Sequence, residues 1–211
     1  MNALSGQSLA GMTRLEELKQ STRSDHQSVD DMVMAMAPFE SRSNYLRFLK
    51  LQHIFHGAMK PLYEADDLNR IIPGLAGRSR YEAVCADMAD LECDGFEYAG
   101  TQDRSRNRID ADGVERIGWL YVCEGSSLGA AFLLKAADRI GLSAEFGARH
   151  LAGHAKGRGK HWREFVEQVN GLTLGAKDEQ AVREGAVRAF AFFRGLIAAT
   201  GTGPMHPESL G

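Results

Sequence analysis

Residues 118–135 read GWLYVCEGSSLGAAFLLK. The apolar positions follow a helical period, yet Gly118, Gly125 and Gly129 interrupt them, with Ser126 and Ser127 between the last two. Each glycine inside a helix costs roughly 1 kcal/mol against alanine. Something must offset that cost. A missing Cβ lets backbone lie close against a flat neighbour. The Gly125-x-x-x-Gly129 spacing is that of helices packed through small residues. The neighbour is either another helix or a planar ligand, and the spacing does not choose. The same residues also spell G-x-S-x-G, the nucleophile elbow of serine hydrolases. Ser127 would be the nucleophile, and His150, His154 or His161 the base. That elbow needs a parallel sheet beneath it, and no strand–helix alternation is present.

Outward from this stretch the chain reads as helices. Apolar residues at Leu15, Leu18, Val29, Met32, Val33 and Met36 predict one helix over 13–36. A second is expected over 44–65, kinked at Pro61. Others are expected over 79–91, 114–140, 162–169 and 178–199. Turns or loops fall at 71–77, 92–113 and 141–161. The fold class is therefore all-α, a single domain over 13–200 between flexible ends at 1–12 and 201–211.

The totals exclude several classes. The net charge of -3 argues against a general nucleic-acid binder. Cys85, Cys93 and Cys123 are odd in number and form no C-x-x-C, which fits reduced thiols in a cytoplasmic protein. No charged segment followed by an apolar core opens the chain, so no signal peptide is expected. The longest apolar run is broken by Glu124 and reads as too short for a membrane span.

Among the histidines, His26 falls on the apolar stripe of the first helix. A histidine so placed is ordinarily a core residue bonded to a carbonyl. Lys19 lies two turns earlier on the same face, roughly 10.5 Å along the axis. That spacing would connect an axial ligand to an acidic group at a macrocycle's edge. His56 follows the apolar face of the second helix. His150, His154 and His161 lie in a glycine-rich stretch unsuited to a helical zinc site and read as solvated loop residues. The segment GHAKGRGKH does not match a phosphate-binding loop, because His161 stands where serine or threonine is required.

These features meet in one resemblance. LKQSTRSDHQSVDD (18–31), PLYEADDLNRIIPGLAGRSR (61–80), FGARHLAG (146–153) and above all residues 118–135 resemble the bacterial heme oxygenases of Gram-negative organisms. The resemblance runs from about Leu15 to Leu196. It implies a helical bundle with heme b between a proximal helix and a kinked distal helix. Heme is then both cofactor and substrate, cleaved with O2 to biliverdin, carbon monoxide and ferrous iron. It implies His26 as the iron ligand, and Gly125, Ser126 and Gly129 as distal backbone against the ring. Gln52, His56 and Arg80 would line a proton-supplying water network. Phe193 would touch heme, although packing inside FAFF accounts for it nearly as well. Electrons would come from a ferredoxin or a flavoprotein reductase. The basic loop at 149–163 could meet such a donor, or simply be solvated. No nucleic acid or membrane partner is implied.

One difference within the family bears on the product. Relatives that rotate heme in its pocket carry asparagine where this chain has Lys19 and phenylalanine where it has Tyr121. They also add a second lysine after the one matching Lys135, where this chain has Ala136. Lys19 and Tyr121 are expected to hold the propionates by charge-assisted hydrogen bonds. The product is then the α isomer of biliverdin. A heme carrier on the same fold and the Ser127 hydrolase are the alternatives.

Overall fold

The computed structural model describes residues 11–91, 109–155 and 157–200. Eight α-helices are present among them, with no strand beyond one isolated bridge between Ser143 and Gly147. They are α1 (Arg14–Ser21), α2 (Arg23–Ala35), α3 (Arg42–Glu64), α4 (Asp66–Ile71), α5 (Tyr81–Asp90), α6 (Glu115–Asp138), α7 (Arg158–Asn170) and α8 (Ala176–Ala199). Short 3-10 turns occupy Leu75–Arg78 and Arg149–Leu151. The expected ends at 1–10 and 201–211, and most of the loop at 92–113 with Cys93, lie outside the described residues.

Local chemistry sets the helix starts. The Thr13 backbone N–H donates to Glu16 Oε2 at 2.7 Å, closing a capping box on α1. Ser41 Oγ accepts from the Asn44 N–H at 3.1 Å and starts α3. The first helix departs from expectation, because it breaks at Thr22. The buried Thr22 hydroxyl donates to the Leu18 carbonyl at 2.6 Å, so a side chain competes with the helix there. Lys19 and His26 thus sit on successive helices. Pro61 does not interrupt α3, which continues to Glu64. The glycines do not interrupt α6 either: it is helical from Glu115 to Asp138.

The core forms around α3, α6 and α8. Tyr45, Phe48, Leu49, Phe55 and Met59 bury one side of α3. Ile117, Leu120 and Cys123 of α6 meet Val182, Ala186 and Ala189 of α8. Each large apolar side chain so buried contributes about 1.5–3 kcal/mol. With 24 residues, α6 is long and apolar enough to cross a membrane by length and composition, contrary to the reading of its apolar run. Its buried face is built into this core.

The three glycines of residues 118–135 divide here. A Cβ on Gly118 would collide with the Val182 carbonyl, and one on Gly185 with the Glu115 carbonyl. The helix-packing explanation holds for Gly118. It does not hold for Gly129, where a Cβ would meet nothing within 4 Å, and Gly125 has only the Trp162 ring edge at 3.8 Å.

Candidate functional site

Helix α8 packs against both α2 and α6, while α2 and α6 share no substantial packing with each other. Both therefore flank α8. On the α2 side stands His26, expected on a buried stripe but in fact with 63% of its side chain exposed. Its Nδ1 lies 3.0 Å from Asp30 Oδ2, one turn on. A carboxylate on Nδ1 fixes the ring tautomer and leaves the Nε2 lone pair for a ligand. The ring is steadied by Phe190 of α8, edge-on with centroids 6.0 Å apart. On the α6 side, Ser126, Gly129 and Phe132 are exposed, Phe132 by 81%. The serine hydroxyls turn back onto their own helix: Ser126 Oγ donates to the Cys123 carbonyl and Ser127 Oγ to the Glu124 carbonyl, each at 2.7 Å. Ser127 is therefore an ordinary helical serine, not an elbow nucleophile.

This donor set suits one kind of metal. No group of three histidine, cysteine, aspartate or glutamate side chains could hold an ion among the described residues. A single carboxylate-anchored imidazole would fit an iron whose remaining ligands come chiefly from a macrocycle. Bare backbone at Gly125 and Gly129 leaves room for a flat ring.

Lys19 is exposed at the end of α1. Tyr121 is half-buried, and its hydroxyl bonds the Thr22 side chain, tying the α1–α2 junction to α6. Burial pushes the Tyr121 hydroxyl up, with the Thr22 bond opposing. Phe193 lies in the core, edge-on to Phe55 at 5.1 Å, and Phe190 is the aromatic beside His26.

Behind α6 the polar groups interlock. Glu124, 4% exposed, accepts from Arg78 Nε at 2.9 Å and from the Tyr63 hydroxyl at 2.8 Å. Burial raises its carboxyl pKa, and Arg78 offsets part of that. His56 is buried, with Nδ1 3.7 Å from Cys123 Sγ. Burial, then the charges of His150 and Arg80, drive its pKa down to about 3. Gln52 is half-buried one turn before it. Arg80 donates from Nη2 to the carbonyls of Arg149 at 2.5 Å and Ala152 at 2.9 Å.

His150 is not a solvated loop residue. It is buried, with Nδ1 2.7 Å from Asp87 Oδ2 and Nε2 without a partner. His154 and His161 stack at 4.2 Å, and His161 belongs to the first turn of α7. Nor is the basic loop simply solvated: Arg149 pairs with Asp87 and Asp90, and Arg158 donates to the carbonyls of Ser127 and Leu151.

The heme oxygenase family's sequence model matches residues 12–199. The chain belongs to the heme oxygenase family. It is 39% identical over 200 residues to heme oxygenase PigA of Pseudomonas aeruginosa, covering 95% of this chain and 99% of that one. The NO- and CO-bound heme oxygenase of Neisseria meningitidis superposes with a TM-score of 0.84 at 43% identity, over 90% of this chain and 92% of the other. The heme oxygenase of Leptospira interrogans shares the fold alone, with a TM-score of 0.72 at 16% identity over 89% of this chain and 99% of that one. The protein is thus a heme oxygenase, with heme and O2 as its substrates. The hydrolase and carrier alternatives gain no comparable support.

Sequence reasoning missed Asp30, Glu124, Arg78 and Asp87. Asp30 was readable as the carboxylate four residues after His26. The other three depend on partners distant in the chain.

Proposed function

We propose that His26 Nε2 ligates the heme iron and that heme lies between α2 and the Gly125–Gly129 segment of α6. The observation that carries this is an exposed, Asp30-anchored imidazole flanking the same helix as a strip of side-chain-free backbone. Heme supplies the iron that takes O2 and the porphyrin edge that is opened. The chain supplies the surroundings. Asp30 orients the His26 ring. Gly125 and Gly129 admit the flat ring and place no acid or base over its face. Gln52, His56 and Arg80 hold water and relay protons on the α6 side. His56 serves as a neutral group, since its pKa of about 3 keeps it uncharged at neutral pH.

Lys19 and Tyr121 bind the two propionates and set the orientation that opens the ring at the α position. To do so the Tyr121 hydroxyl shares or releases its bond to Thr22. Electrons come from an external ferredoxin or flavoprotein reductase, with Lys160 and Arg163 on the exposed side of α7 as its docking charges. The protein works in the cytoplasm without a membrane partner, which the unpaired Cys85 and Cys123 support.

The test is stoichiometric hemin titration followed by aerobic turnover with an electron source. Loss of the Soret band with release of biliverdin is expected. A Soret band that persists would make the protein a carrier. Absence of hemin uptake, with esterase activity lost in Ser127→Ala, would restore the hydrolase.

A further inference from the structure

Behind α6 lies a cavity of about 50 Å³ walled by Arg78, Arg80, Arg158, Glu124, Ser127 and His161, among others. Its charges do not balance. Arg78 is matched by Glu124, as described. Among the described residues, Arg80 bonds only carbonyl oxygens: those of His150, Arg149 and Ala152. Arg158 likewise bonds, among them, only the carbonyls of Ser127 and Leu151. The charges of Asp87 and Glu124 both act on Arg80 without bonding it, and Asp87 is engaged elsewhere. Its two oxygens accept the backbone N–H groups of Arg149 at 2.8 Å and His150 at 2.9 Å, together with the His150 ring. Among the described residues the wall carries three guanidiniums and one carboxylate, and the charge of Asp87 reaches Arg80 from outside the wall and offsets only part of the remainder. His161 adds none, because burial and Arg78 drive its pKa down to about 4. Burial, and after it the charge of Arg158, lowers the pKa of Arg80, which remains a cation.

Arg80 and Arg158 are half-buried and repel one another unless a negative charge lies between them. Backbone carbonyls satisfy N–H groups but do not neutralise them, and a guanidinium with open donors recognises anions readily. The volume admits roughly three or four water-sized bodies. That excludes a nucleotide and admits one small anion.

We propose that this cavity is a binding site for one small monovalent anion of chloride, formate or bicarbonate size, held between Arg80 and Arg158. The site adjoins the catalytic face. Arg158 grips the Ser127 carbonyl within the glycine segment of α6, and Arg80 belongs to the distal group with His56. The inference does not depend on heme binding, since it can be measured on heme-free protein.

The experiment is a chloride titration followed by 35Cl NMR line broadening, at constant ionic strength maintained with gluconate. Saturable broadening is expected, reversed by formate. Arg158→Gln should weaken binding tenfold or more, as loss of a charged hydrogen bond implies. Arg163→Gln, which removes a nearby charge outside the cavity wall, should not. Broadening that never saturates, or that persists unchanged in Arg158→Gln, overturns the site and leaves a water-filled cavity. If Arg158→Gln does not fold, crystals of the unaltered protein soaked in sodium bromide decide. An anomalous peak bonded to Arg80 and Arg158 supports the proposal, and its absence refutes it.

Discussion

Gly118 on α6 and Gly185 on α8 meet backbone to backbone, each occupying the space where the other helix would reject a Cβ. Eleven residues along α6 from Gly118, Gly129 meets nothing at all. One helix therefore carries glycine in two opposite settings. At Gly118 the neighbour is present in the fold, while at Gly129 the space is open, as the proposed heme site requires.

These settings separate under mutation. Gly118→Ala should destabilise the protein by about 1–3 kcal/mol through overpacking. Its melting temperature should fall by roughly 2–4 °C per kcal/mol. Gly129→Ala should leave the heme-free protein as stable or up to about 1 kcal/mol more stable, from helix propensity. It should nevertheless weaken hemin binding. Calorimetry and hemin titration of both variants check this, and equal melting for Gly118→Ala and the parent would contradict it.

If His26 is the proposed iron ligand, His26→Ala should abolish turnover, with partial recovery on adding imidazole. Asp30→Ala should retain the ligand but lose its orientation, lowering heme affinity or turnover roughly 10–100-fold. Resonance Raman detection of the iron–histidine stretch distinguishes them. An unchanged stretch in His26→Ala would place the ligand elsewhere.

Arg78→Met and Glu124→Gln should each destabilise the protein, because each leaves a buried charge without its counter-charge, at a cost of about 3–5 kcal/mol. Replacing both partners at once should cost less than the sum of the two single losses. Urea unfolding of the two single variants and the double variant measures the coupling. Additive losses would show that the pair does not act as a unit.

Stability should decline as pH falls below about 6.5. His56 binds a proton in the unfolded chain near that value but, in the fold, only near pH 3. Its contribution is complete above pH 6.5 and is lost as pH drops towards 3. The slope for one such group is about 1.4 kcal/mol per pH unit. His150 and His161, also shifted down chiefly by burial, act in the same direction. Urea midpoints between pH 7 and pH 5 should therefore fall, and His56→Gln should flatten the curve. A slope unchanged in that variant would mean that His56 titrates normally.

Lys19→Asn combined with Tyr121→Phe should shift the biliverdin product from the α isomer towards others. Chromatographic separation of the isomers after turnover reads this directly. A parent enzyme giving mainly the β or δ isomer would overturn the assigned roles of both residues.

The helical class was legible because period 3.6 is a local property, written into Tyr45, Phe48, Leu49 and Phe55 without reference to any partner. The resemblance carried by residues 18–31 and 118–135 reached the family. The break at Thr22 was harder to see, since it rests on a hydroxyl competing with the helix for one carbonyl. His150 was misjudged because a glycine-rich neighbourhood does not reveal Asp87, brought to it from α5.

By itself, then, the sequence determined that the chain forms helices, where most of them lie and to which family they belong. Only the tertiary structure decided which glycine packs and which stays open, and which buried charges find partners. Periodicity is set by neighbours a few residues apart. Close approach and charge balance are set by groups that only folding brings together, such as Gly118 with Gly185 and Arg78 with Glu124.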